Sequence, residues 1–257
     1  MLEFSLLGSG SAGNALLVRT PDTQILVDCG LSMRQAMARA AAQGCDLTQT
    51  EAIFLTHEHG DHVQSVGTLA RRLGIPVFVT EATAQALPQR LGALPDVRYF
   101  EAGEQLTWCD LTLDSFSVSH DAVDPVSFVV GCRGARLGLA TDLGHVSHLV
   151  RTRLAGVHAL VLESNYCPDM LLNGDYPATV QARIRSRWGH LSNQSSAALL
   201  SAIAHAALRT VVLIHISENN NSADKAYRLA KQALGLHAAA LMLAAQDAPT
   251  PLIEVAA

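Results

Sequence analysis

An α/β fold of layered sheets with helices outside is what this chain predicts, on three observations. Short apolar runs of strand length recur along its 257 residues, and runs of helix formers separate some of them. Composition is the third: 49% hydrophobic and 16% charged residues supply ample apolar surface for a core. Strands are expected at residues 4–7, 15–18, 25–27, 52–55, 77–79, 111–118, 126–130, 137–139, 159–162 and 211–214. Helices are expected at residues 32–42, rich in Ala, Met, Arg and Gln, and at 195–208 and 223–234. The order is β-rich, one helix, β-rich again, then two helices around a strand, which suits sheets packed with helices outside. The last dozen residues, through Ala248-Pro249-Thr250-Pro251, read as a turn and a short final strand.

No Pro/Gly/Ser stretch is long enough to divide the chain, so residues 1–257 read as one domain. No run approaches the roughly 20 apolar residues that span a bilayer. The first residues lack a basic segment, so a cytoplasmic protein away from membranes is expected. The five cysteines (Cys29, Cys45, Cys109, Cys132, Cys167) are scattered without a Cys-x-x-Cys pair and read as reduced thiols. A formal net charge of −5 gives no global attraction to nucleic acid, so any phosphate must be drawn by a local patch or by bound metal.

Gly8-Ser9-Gly10-Ser11-Ala12-Gly13 spells a dinucleotide fingerprint, but the next residues form a short branched run ended by Pro21, not a helix. Strand, glycine turn and strand make a hairpin, whose polar tip (Ser9, Ser11, Asn14) either lines a site or is a plain turn.

The densest chemistry is Thr56-His57-Glu58-His59-Gly60-Asp61-His62, directly after an apolar strand. Neutral imidazole and carboxylate are both ligands for zinc, manganese or iron. Other strands end in the same way: 113–118 runs into Ser119-His120, 137–140 into Thr141-Asp142, and 211–214 into His215. Singly, each is equally a polar strand cap. Together, if these strands lie side by side in similar orientation, they build one polar edge. His57, His59, Asp61, His62, His120, Asp142 and His215 are more donors than one tetrahedral ion accepts and suit two divalent ions. Asp142 is then the natural bridge, because a carboxylate has two oxygens, and a shared water would ionise near pH ~7.

These motifs resemble the metallo-β-lactamase fold superfamily over nearly the whole chain, with Asp28-Cys29-Gly30 similar to its early strand-end aspartate. The resemblance implies a four-layered αββα sandwich and a metal-dependent hydrolase. In detail the chain resembles the YycJ/WalJ group of bacterial nucleases. The match lies in residues 8–14, Ser119-His120-Asp121-Ala122, residues 140–144, Glu163-Ser164-Asn165-Tyr166, residues 189–193 and residues 215–220. That implies a 5′-to-3′ exonuclease acting on DNA. Cys167-Pro168 departs from the group, where an acidic residue is expected. Only residues 143–214 separate Asp142 from His215, which leaves no room for a β-CASP insertion.

The resemblance implies one ion (zinc or manganese) on His57, His59 and His120, another on Asp61, His62 and His215, and Asp142 between them. By similarity to tRNA-processing nucleases, His190 is the expected general acid and Glu163 its orienting partner. Ser192 and Asn193 are placed to cap the following helix and hold a phosphate. Arg183, Arg185 and Arg187 would line one side of an extended segment and track a nucleic-acid backbone, or else form a solvated face. The rival reading is a glyoxalase II-like thioester hydrolase or another small-molecule metallohydrolase. The Gly-His-Leu-Ser-Asn segment, and the lack of that enzyme's C-terminal helical domain, speak against it.

Overall fold

Two seven-stranded sheets face each other in the computed structural model, which describes residues 1–257. The first holds β1 (Glu3–Gly8), β2 (Ala15–Arg19), β3 (Gln24–Val27), β4 (Ala52–Phe54), β5 (Val77–Val79) and β6 (Val97–Tyr99). The second holds β7 (Gln105–Trp108), β8 (Leu111–Ser117), β9 (Val126–Cys132), β10 (Ala135–Ala140), β11 (Ala159–Glu163), β12 (Thr210–Ile214) and β13 (Ala240–Leu243). The short β14 (Ile253–Glu254) returns to pair with β1 at the edge of the first sheet. Around the sheets lie α1 (Met33–Ala42), α2 (Gly60–Val63), α3 (Val66–Leu73), α4 (Glu81–Ala86), α5 (His148–Leu154), α6 (Pro168–Leu172), α7 (Ala178–Ile184), α8 (Asn193–Ile203) and α9 (Ala223–Leu234).

Continuous apolar runs are required because the inner strands are covered on both faces. In β11, Ala159 and Val161 join the cluster between the sheets, while Leu160 and Leu162 face the layer of α5, α8 and α9. In β4, Ala52 and Phe54 point inward and Ile53 points to the layer of α1 and α3. A period of two therefore divides each strand between two cores. The expected αββα sandwich is what results. The glycine-rich segment is a turn between antiparallel β1 and β2, as the hairpin reading required. No helix is long and apolar enough to cross a membrane.

Strand direction positions the site. β3 and β4 are parallel neighbours in the first sheet. In the second, β10, β11 and β12 are mutually parallel, and β8 runs the same way because antiparallel β9 separates it from β10. The strands that end in the candidate ligands are thus co-oriented within the second sheet, but they are not all side by side. They are divided between two sheets, and β9 and β11 intervene within the second. β11 adds a strand end of its own, Glu163.

Two expected elements differ locally. The helix beginning near residue 195 starts at Asn193 and stops at Ile203, short of Leu208. His205 bonds back to the Val157 carbonyl there instead of continuing the helix. Residues 183–187 are not extended: Arg183 lies in α7 and Arg185 caps its end.

The inter-sheet core predicts one stability result. Phe128 is fully buried and meets Phe54 edge to face at 6.2 Å. Phe128→Ala should cost about 3–5 kcal/mol, read as a lower urea midpoint with an unchanged m-value.

A candidate metal centre at the joined sheet edges

Asp28, one residue beyond β3, organises the first-sheet half of the site. Its carboxylate accepts from the Thr56 backbone N–H at 2.9 Å and the Thr56 hydroxyl at 2.7 Å, and lies 2.7 Å from His62 Nδ1. The hydroxyl has one proton and gives it to Asp28, so it accepts from His57 Nδ1–H at 2.9 Å. His57 Nε2 is then a bare lone pair, and it is buried without any protein partner. An orphaned imidazole nitrogen in such a place is what a metal ligand looks like before its ion is added.

The metal loop itself is stitched from two sides. Asn14 N–H donates to the Asp61 carbonyl at 2.7 Å, and Cys29 N–H to the His62 carbonyl at 2.8 Å. A Cβ on Gly30 would fall 1.5 Å from the Asp61 carbonyl oxygen, so only glycine permits this approach. The Asn14 amide donates to Asp61 at 3.1 Å and lies 3.0 Å from His62 Nε2. The hairpin tip is therefore part of the site through Asn14. Ser9 contributes too, its hydroxyl accepting from the His215 backbone N–H at 2.8 Å. Ser11 is exposed.

On the second sheet, β8 delivers His120, β10 Asp142, β11 Glu163 and β12 His215. His57, His59 and His120 bring their ligand nitrogens within 4.8 Å of one another, and so do the ligand atoms of His57, His62 and Asp142. A third such group is Asp142, Glu163, His190 and His215. His120 Nε2 is 3.2 Å from His59 Nδ1, while its Nδ1 donates to the Gly189 carbonyl at 3.1 Å. Asp61 stands at the rim, 3.6 Å from His62 Nε2. Glu163 is fully buried and does more than orient one ring. One oxygen lies 2.7 Å from His190 Nδ1 and 3.0 Å from His215 Nδ1; the other accepts from the backbone N–H groups of Leu143 and Leu191.

Backbone conformation marks the same residues. Asp28, Asp142 and His215 have φ of 60°, 54° and 54°, a left-handed region that non-glycine residues seldom adopt. Such strain persists only where surrounding bonds overdetermine it.

Charge is divided unevenly among the imidazoles. Burial, reinforced by His62, holds His57 well below its ordinary value. Burial also opposes a proton on His62, but Asp142 and Asp28 outweigh it and hold the ring well above its ordinary value. His215 is likewise pushed up to about 10, because Asp142 and Glu163 overcome its burial. Asp142 stays ionised: its burial resists the charge, and His215 and His62 more than offset that. These donors fit divalent metal ions, whose charge would replace those protons.

The expected substrate contacts fare unevenly. Arg183 is paired with Asp121, and the Arg187 guanidinium lies 3.5 Å from His145 Nε2. Ser192 is the N-cap of α8 and accepts from Ser195 N–H at 3.1 Å. Asn193 is buried, its side-chain amide bonded to Ser164 and Asn221 and its backbone N–H to the Tyr166 carbonyl. Cys167, standing where an acidic residue is expected, caps α6 and lies 3.7 Å from the Lys225 ammonium. Asn14, Thr56 and Ser9 lie outside the expected ligand set. The hydroxyl residue before His57 is the one visible signal for Thr56.

The β-lactamase superfamily domain model matches residues 23–216. The chain is 35% identical to Exodeoxyribonuclease YycJ of Bacillus anthracis, over 91% of this chain and 89% of that one. It is 32% identical to Exodeoxyribonuclease WalJ of Streptococcus pneumoniae, over 98% of both. Among solved structures, the metallo-β-lactamase fold protein YhfI from Bacillus subtilis superposes with a TM-score of 0.73 at 17% identity, over 97% of this chain and 99% of that one.

Two outcomes are expected of this site. Asp28→Asn keeps the shape but removes the charge behind His62, and should weaken metal affinity about 10–100-fold in a chelator competition. In metal-stripped protein, His215 rises from an ordinary value of 6.5 to about 10. The stability this adds is full below pH 6.5 and is lost as pH rises through about 10. Urea midpoints should fall across that window, and a flat profile would exclude a charged His215.

Proposed function

The chain belongs to the β-lactamase superfamily and, within it, to the YycJ/WalJ group, and on that premise we propose that it hydrolyses phosphodiester bonds as a 5′-to-3′ DNA exonuclease. The observation that carries this reading is the buried Glu163 carboxylate, which joins His215 to His190 at hydrogen-bond distance. The reading takes residues 1–257 as one unit without a β-CASP insertion, acting in the cytoplasm.

His57, His59 and His120 would hold one ion, Asp61, His62 and His215 a second, with Asp142 between them; zinc and manganese both suit the donors. When bound, the ions supply an activated water at neutral pH and positive charge against the non-bridging phosphate oxygens. Thr56 and Asp28 fix the rings of His57 and His62 by Nδ1, which would leave Nε2 of each for an ion. Glu163, ionised because His190 and His215 outweigh the cost of its burial, holds His190 by Nδ1. His190 Nε2 is thereby left to give a proton to the departing sugar oxygen. His190 is partly exposed, where a strand end can reach it.

A panel of end-labelled single- and double-stranded DNA and RNA, with metal restored, tests the reading. Stepwise loss of DNA from the 5′ end is expected, and Asp61→Ala should abolish it. Retained activity in that variant would indicate a contaminant. His190→Ala should lower kcat on DNA by about 10²–10⁴-fold. With a p-nitrophenyl phosphodiester the loss should be far smaller, since p-nitrophenolate departs without a proton. Equal losses on both substrates would remove His190 as the acid.

A further inference from the structure

A cleft of about 280 Å³ opens between α5 and α8, beyond the turn that follows Asp142. His145, Val146 and Arg151 line one side, and Ser195, Ala198 and Leu199 the other. Its volume is near the ~300 Å³ at which small-molecule sites begin. None of these side chains serves the metal centre.

The cleft adjoins the proposed acid through one close contact. A Cβ on Gly144 would fall 2.0 Å from the Arg187 carbonyl oxygen, so the Asp142 turn and the segment leading to His190 touch backbone to backbone. Arg187 reaches the cleft's rim through His145, whose Nδ1 is 3.4 Å from the Arg187 carbonyl. The arginine–carboxylate pairs of the protein use Arg19, Arg98, Arg133, Arg183 and Arg228. Arg151 and Arg187 are therefore cations without an anion. Val146 beside Arg151, and Ala198 and Leu199 across from it, form an aliphatic wall. Between Arg187 and His190, Trp188 leaves 58% of its surface exposed, a face on which a base can stack.

Free cations beside an aliphatic wall match a nucleotide, which is anionic at its phosphate and apolar over its sugar and base. We propose that this cleft holds a phosphate-bearing nucleotide of the substrate strand, away from the bond being cut. The strand would run from His190 over Trp188 to Arg187 and Arg151. The inference rests on the nuclease reading and extends it to a second contact point.

Arg151→Gln removes a cation that has no carboxylate partner, and Ala198→Trp fills the cleft from an exposed helix position. Binding of fluorescein-labelled, phosphorothioate-linked single-stranded DNA to the metal-loaded protein is followed by anisotropy over a range of salt. Both variants should raise Kd by about fivefold or more. Arg151→Gln should also reduce the slope of log Kd against log salt by about 0.7. Hydrolysis of bis(p-nitrophenyl) phosphate, too small to reach the cleft, should be unchanged. Wild-type Kd and slope in both variants would overturn the proposal, as would a matching fall in bis(p-nitrophenyl) phosphate turnover. Wild-type protein that cuts DNA while both variants bind normally would remove the cleft and leave the nuclease reading. Cleft-dependent binding by a protein that cuts no nucleic acid would do the reverse.

Discussion

The Asp142 carboxylate joins the two halves of this molecule, and the site depends on that junction. One oxygen lies 3.2 Å from His62 Nε2, which belongs to the loop after the first sheet's β4. The other lies 3.2 Å from His215 Nδ1, at the end of the second sheet's β12. Burying an unpaired carboxylate there would be prohibitive, and in metal-free protein the two imidazoles supply the compensating charge. A divalent ion would be a better partner for the same oxygens, and the charged imidazoles would then be its stand-in in the metal-free protein. An ion bound at His62 or His215 would therefore have to displace a proton, while His57, already low, would offer its nitrogen freely.

Holding such a cluster requires rigidity outside it. Asp28, Asp142 and His215 all adopt left-handed backbone at strand ends, each at a cost of about 1–3 kcal/mol. The offset comes from neighbours that bind metal poorly or not at all. Asn14 ties the hairpin tip to Asp61 and His62, Ser9 receives the His215 N–H, and Thr56 relays Asp28 to His57. Inter-sheet packing supplies the rest, because the sheets cannot slide past one another without breaking a 27-residue apolar cluster.

Strand positions are legible because doubly covered strands are uninterrupted apolar runs, as in β11 and β12. Edge strands carry no such mark: β6, with exposed Arg98 and Tyr99, has the residues of a loop. The short helices escape pattern reading for want of length, since α2 spans 4 residues and α6 only 5. α3 is the avoidable omission, with Val66, Leu69, Ala70 and Leu73 at helical spacing and a left-handed Gly74 behind it. In the site, residue types that bind metals announce themselves at strand ends. Asn14 and Ser9 read only as a polar tip that either lines a site or is a plain turn, because nothing local to a glycine turn reveals that it will dock against a loop 47 residues away. The arginines mislead for a related reason: alternation implies one face only in extended chain, and α7 runs through Arg183.

Metal ligands alone would leave the substrate open, and Glu163 narrows it. A thioester releases a thiol whose pKa lies near ~8.5, so a thiolate departs at neutral pH with little help from an acid. A nucleic-acid strand releases a sugar alkoxide, which needs a proton in the transition state. Glu163 is buried at the end of β11, bonded by two backbone N–H groups, and positions His190 beside His215. Building and burying that carboxylate is costly, and a thioesterase would gain little from it.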